Sequence, residues 1–377
     1  MVLNEDQMML MGMARNWVRD RAPVSSIRQA RDRFAARGYD PDLYSEMAEM
    51  GWTGVLVPEA YGGSDFGMLS FGVILEELGR TLMPSPLLSS ALSAASAIVL
   101  GGDEQQKGRW LPRIVSGETV AAVAIDEGAH HAPRGTALVA RRSGAGWVLD
   151  GVKRPVLEGG AADLLVVAAR TGGRPGEDDG ISLFLVECDR PGLARDPMRN
   201  IDSRGAAVVT FSGMELGGEA LLGEAGRAMP VLQAMLDRTC AGLAAEMLGS
   251  TAQAFDVTIE HLKTRTQFDR LIGSFQALQH RAADMLAEIE LTRSAVRAAL
   301  LALDEGDPAA SRMASMAKAL AGRSFRHVAQ EMLQMHGGIG MTNEHDAGLY
   351  LKRAQAADVA FGNVAFHRDR YGTELGY

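Results

Sequence analysis

Arg265-Thr266-Gln267-Phe268 and Gln334-Met335-His336-Gly337-Gly338-Ile339-Gly340 are the segments of this 377-residue chain best suited to hold a ligand. An arginine guanidinium grips a diphosphate through a two-pronged, charge-assisted fork. Glycines lack a Cβ, so backbone N–H groups can approach a bulky group closely. Together the two segments are equipment for a dinucleotide. A Gly-Gly-x-Gly run alone also describes a loop between helices, so the pairing carries the inference. Groups for proton transfer are scattered: Asp237, Thr239, Glu246, His336 and Glu344-His345-Asp346. The last five read first as structural, loop or helix-capping residues. The adjacent His130 and His131 point different ways and have no third ligand spaced nearby, so no metal site is expected.

The elements that must position these groups fall into three regions. Over 1–118 apolar residues recur at helical spacing, with Pro41, Pro58, Pro84, Pro86 and Pro112 as boundaries. Over 119–223 short apolar runs alternate with turn residues, as in Val120 to Ala124, Leu164 to Ala168, Ile181 to Val186 and Val208 to Phe211, which predicts a β domain. Arg170 to Gly180, rich in glycine, proline and acid, is its expected mobile loop. Over 224–377 the pattern is helical again. Phe275, Leu278, Ala282, Met285, Ile289, Val296, Leu300 and Leu303 form a stripe expected to be a bundle seam, with Leu286 assigned to the same seam, and Pro308 opens the next helix. Trp52 and Trp110 are expected in the core, and Glu76 and Glu77 on a solvated helix face.

Composition narrows the function classes. With 47% hydrophobic and 23% charged residues, the chain reads as an ordinary globular protein of two or three domains. A net charge of -9 argues against a nucleic-acid partner. Two cysteines give no disulfide framework, and no 18-residue apolar run or signal layout occurs, so a cytoplasmic, non-membrane protein is expected. The 20 methionines read as core filler.

The ligand-holding segments, with Gly51-Trp52-Thr53-Gly54, Pro58 to Gly63, Glu76 to Arg80, Gly102 to Lys107 and Trp110-Leu111-Pro112 in order, resemble the acyl-CoA dehydrogenase family. The resemblance spans most of the chain and implies an α+β multidomain fold: an amino-terminal helical domain, a middle β domain and a carboxy-terminal helical bundle. It implies FAD as cofactor, with Arg265, Gln267, Phe268, Gln276, Gln334, Gly337, Gly338 and Gly340 at its adenine end. It also implies an acyl-CoA substrate and a homo- or heterotetramer that shares the flavin. Asp269 stands where the family usually has glycine.

Other family features are missing. The segment matching the ring-binding turn reads Asp126 to Pro133 and keeps only Glu127, and Pro155-Val156-Leu157 replaces the aromatic and hydroxyl residues against the ring. The usual base position holds Gly362, in Phe361-Gly362-Asn363. At the second place used in the family, one register nominates Asp237 and the other Thr239, which sit about 200° apart on a helix. The Thr239 register is the more continuous. It leaves Asp237 as a solvated or salt-bridged residue and Cys240 where relatives keep arginine. The catalytic base is therefore unassigned, with Asp237 as its only nominee. Three functions follow: a flavin-dependent dehydrogenase with an unusual base, a subunit supplying the adenine grip to a Glu-bearing partner, or a scaffold that binds no flavin.

Overall fold

The structure is a computed structural model that describes residues 3–28 and 37–377. It has a helical amino-terminal part, a sheet in the middle and a helical carboxy-terminal part. By its internal contacts the chain forms two compact units. One unit contains Arg28–Gly67 and Pro84–Thr239, and the other contains Met1–Ile27, Met68–Met83 and Cys240–Tyr377.

The first unit is built on a sheet of eight strands: β1 Ala121–Ala124, β2 Val139–Ser143, β3 Gly146–Leu157, β4 Leu164–Arg170, β5 Ile181–Glu187, β6 Leu193–Met198, β7 Ala206–Leu216 and β8 Leu221–Leu222. The order is β6-β7-β3-β2-β4-β5-β8, with β1 parallel to β4. All four apolar runs expected as strands are strands. β4 is buried at every residue and β5 at all but the last, which is why these two read as unbroken apolar runs while β2 does not. Trp147 packs edge-on against Phe184, their ring centroids 5.4 Å apart, within this core. Trp52 and Trp110 are buried as expected.

The loop after β4, expected to be mobile, is tied to the body of its unit by hydrogen bonds. The buried Arg170 guanidinium donates to the carbonyls of Thr136, Asp179, Arg134 and Glu177, and Arg134 pairs with Asp178 at 2.6 Å. One cation thus fastens both ends of a Gly-rich and Pro-rich stretch whose composition alone suggests freedom.

The second unit contains helices α1 Glu5–Arg21 and α3 Gly67–Arg80; α2 is Pro41–Glu49 in the first unit, as are α4 Ala95–Gly101 and α5 Glu104–Val115. The carboxy-terminal helices are α6 Met229–Thr264, α7 Gln276–Glu305, α8 Ala310–His336, α9 Ala347–Val359 and α10 Val364–Glu374. Asn4 and Gln7 close a reciprocal capping box on α1, and Asp103 and Gln106 do so on α5. Helix α8 begins at Ala310 rather than at Pro308; the Asp307 carboxylate accepts the Ala309 N–H just ahead of it.

Two glycines bring α3 and α6 into backbone contact. A Cβ at Gly79 would lie 1.9 Å from the Glu246 carbonyl oxygen, and one at Gly249 would lie 1.7 Å from that of Glu76. This approach buries Glu76 and Glu77, correcting the solvated face expected for them. Glu76 pairs with Arg293 at 2.5 Å, and Glu77 with Arg15 at 2.7 Å and with Arg80. In the α7 stripe, Met285, Ile289, Val296 and Leu300 are buried while Phe275, Leu278, Ala282 and Leu303 are half-buried. Leu286 lies off the stripe and is 47% exposed, so its assignment to the seam is corrected.

Candidate functional site

Arg265 follows the last turn of α6 and is exposed, and its guanidinium makes no ion pair among the described residues. The chain then folds into a small hairpin, Thr266–Gln267 paired with Arg270–Leu271. Its two turn residues, Phe268 and Asp269, have φ of 55° and 59°. Both central residues at positive φ define a tight hairpin turn of the left-handed type, and aspartate is one of the few residues that tolerates it. Asp269 therefore takes the conformation for which glycine is usually chosen. Phe268 is 85% exposed, and Arg270 stacks over the Phe275 ring at 4.0 Å.

Gly337 ends α8 with φ 62° and ψ -137°. No atom lies within 4 Å of where a Cβ would sit on Gly337 or Gly338, so both present open backbone. Gly340 differs: it is buried, and a Cβ there would meet the Leu333 carbonyl oxygen at 3.0 Å. Gln276 and Gln334 are exposed, and neither side chain has a hydrogen bond among the described residues; Gln267 donates only to the neighbouring Thr266 carbonyl. The structure therefore brings Arg265, Gln267, Phe268 and Gln276 together around one hairpin and leaves Gln334, Gly337 and Gly338 at an open helix end. All belong to the second unit. These uncommitted donors and bare amides fit the adenine and diphosphate half of FAD.

The segments matching the flavin-ring contacts are committed to their own fold. His131 Nδ1 donates to the Asp126 carboxylate at 2.9 Å, and the same carboxylate accepts the Ala132 N–H. Glu127 accepts the N–H groups of Ala137 and Leu138 and pairs with the fully buried Lys153 at 2.7 Å. Burial pushes the Lys153 ammonium down to about 8 despite that partner. The Pro155 and Leu157 side chains offer no hydrogen bond. The Asp126, Glu127, His131 and Lys153 side chains are thus engaged within the fold.

The base positions are equally occupied. Gly362 has φ 100°, and a Cβ there would lie 2.5 Å from Phe366 Cδ1 and 3.0 Å from His367 Nε2. Its carbonyl, with those of Ala357 and Asp358, accepts hydrogen bonds from Lys318 Nζ, each at 3.0 Å. Lys318 is 1% exposed, and burial lowers its ammonium to about 8. His367 Nε2 lies 3.0 Å from the Phe361 carbonyl and 3.8 Å from Cys240 Sγ. Asp237, expected to be solvated or salt-bridged, is buried rather than solvated, and it accepts from Gln233 Nε2 at 3.1 Å. Thr239 is fully buried and donates to the Met235 carbonyl. Glu246 is structural, paired with the buried Arg353 at 3.2 Å.

Lys153, Lys318 and the Asp126 partner of His131 escape notice in the sequence. Only Lys318 carries a signal, because it shares a helical face with Ala314, Ala317 and Ala321, all fully buried. His345 Nδ1 accepts the Ala347 N–H ahead of α9, which is the capping role expected of it. Among the described residues no cluster of His, Cys, Asp or Glu could hold a metal, and no helix is long and apolar enough to cross a membrane.

Residues 4–118, 125–214 and 226–375 match the N-terminal, middle and C-terminal domains of acyl-CoA dehydrogenase. The chain belongs to the acyl-CoA dehydrogenase family, FAD-dependent oxidoreductases acting on CH–CH bonds. Cyclohex-1-ene-1-carbonyl-CoA dehydrogenase of Geobacter metallireducens is 31% identical over 384 residues, covering 99% of this chain and 98% of that protein. The structure of butyryl-CoA dehydrogenase from Megasphaera elsdenii is similar with a TM-score of 0.92 at 26% identity, covering 100% of both chains. A variant of the Tcur3481-Tcur3483 steroid ACAD gives a TM-score of 0.88 at 31% identity, over 99% of this chain and 98% of that one.

Proposed function

We propose that this chain is the adenine-gripping subunit of an oligomeric acyl-CoA dehydrogenase, in which a Glu-bearing partner subunit supplies the base and the ring contacts. Arg265 holds the diphosphate of FAD, the open amides of Gly337 and Gly338 lie against it, and Gln267, Phe268, Gln276, Gln334 and Gly340 complete or support the grip. Bound flavin supplies the acceptor for the hydride that leaves the β carbon of an acyl-CoA thioester. Removal of the α proton requires a carboxylate, and neither Gly362 nor Thr239, the position in the more continuous register, offers one.

The observation that carries this reading is the geometry at Gly362. Its φ of 100° disfavours any side chain, and a Cβ there would press on the Phe366 and His367 rings, so a carboxylate at this position would strain the fold. The self-paired Asp126 to Pro133 turn supports it independently, as does likeness to a steroid ACAD named for two components. The test is acyl-CoA-dependent reduction of an electron acceptor by the purified chain, alone and after co-expression with a Glu-bearing relative. Turnover is expected only from the complex; brisk turnover by the chain alone would return Asp237 as the base.

A further inference from the structure

Three imidazoles stack where the glycine run meets α6. His336 lies between His261, 4.2 Å away with planes at 29°, and His345, 4.3 Å away. The rings come from three segments: the end of α6 one turn before Arg265, the last residue of α8, and the residue two before α9. Hydrogen bonds define two of their proton positions. His336 Nδ1 donates to the Met332 carbonyl at 2.7 Å, and His345 Nδ1 must carry a lone pair because it accepts the Ala347 N–H at 3.1 Å. A proton added to His336 Nε2 puts a cation that is 7% exposed between two other imidazoles.

We propose that this stack is an acid-opened latch on the dinucleotide grip. Neutral, it clips the Gly337 to His345 segment to the end of α6, so that Arg265 and the open glycine amides face one ligand. Protonated, it parts and the grip loosens. The proposal rests on the reading of this face as the FAD adenine site.

His261 and His345 act on His336, and His345 and Arg265 act on His261; each opposes a further positive charge. Burial is the first cause in both cases. It pushes His336 from 6.5 down to about 4 and lowers His261 as well. An opened segment therefore takes up protons that the closed stack refuses. The closed form loses stability as pH falls from 6.5 toward about 4, by up to about tenfold in the opening equilibrium per pH unit through His336.

Hydrogen exchange on the full-length protein, corrected for intrinsic exchange chemistry, tests this. Opening of residues 337–345 is expected to rise at least about tenfold between pH 7 and pH 5 while the β4 and β5 amides stay protected. His336→Phe keeps a ring in the stack without a proton and is expected to flatten the dependence. A flat wild-type profile, or a dependence unchanged in His336→Phe, would overturn the latch. Flavin retention at pH 7 in Arg265→Ala separates the two ideas: flavin kept there sinks the adenine-site reading while the exchange result still stands or falls by itself.

Discussion

Arg265 and Gly362 are both positions at which the sequence promises chemistry, yet their surroundings are opposite. Around Arg265 the polar groups are uncommitted: the guanidinium, Gln276 and Gln334 are exposed without partners among the described residues, and Gly337 and Gly338 present bare backbone. Around Gly362 every acceptor is taken, with Lys318 bridging three carbonyls and His367 against a fourth. The Asp126 to Pro133 turn belongs with Gly362 in this respect. A folded protein satisfies its buried polar groups internally, so the exposed donors around Arg265 remain free for a ligand while the buried groups around Gly362 are held by the fold.

The contrast predicts opposite phenotypes for the two regions. Lys318→Met orphans three buried carbonyls at roughly 1 to 3 kcal/mol apiece, partly offset by the recovered desolvation of the ammonium, for a net loss of about 2 to 4 kcal/mol in denaturant unfolding. Flavin content per folded molecule stays unchanged. Gly362→Glu is expected to cost roughly 1 to 3 kcal/mol through strain at positive φ and to restore no turnover to the chain alone. A gain of activity in that variant would mean the site is merely vacant.

Arg265→Ala should weaken flavin binding by about 10- to 100-fold and leave the melting temperature of the apoprotein unmoved, with Arg265→Lys intermediate because a point charge replaces a fork. Loss of stability without loss of flavin would exchange the roles assigned to the two regions. The smallest effect is expected at Leu286, where Leu286→Asp should stay within about 0.5 kcal/mol while Ile289→Asp, three residues on and 2% exposed, costs several kcal/mol by burying a charge.

The grip proposed around Arg265 is read from the sequence because it rests on residue types at short spacing. Arginine beside Gln-Phe, and glycines in close succession, announce their chemistry without any knowledge of their neighbours. The strands were legible for a similar reason, since β4 and β5 are apolar at nearly every position. The closed region was not, because its content is pairing across distance. Glu76 and Glu77 read as a solvated face until Arg293 and Arg15, 217 and 62 residues away, are seen to meet them. Lys318 binds backbone carbonyls, which no residue type announces. Arg170 fastens its loop in the same silent way, and Leu286 lay one residue off a stripe whose facing only packing could decide.

The central claim is that the grip on the flavin and the base for the reaction reside on different subunits. Its most direct measurement is the rate of acyl-CoA-dependent acceptor reduction by the purified chain alone, against the same chain co-expressed with a Glu-bearing relative, over short, long and steroid-like acyl groups. Because a placed general base is worth about 10²- to 10⁴-fold, the chain alone should be slower than the complex by at least that margin, and Asp237→Asn should leave the complex nearly unaffected. Equal rates with and without the partner, abolished by Asp237→Asn, would contradict the account.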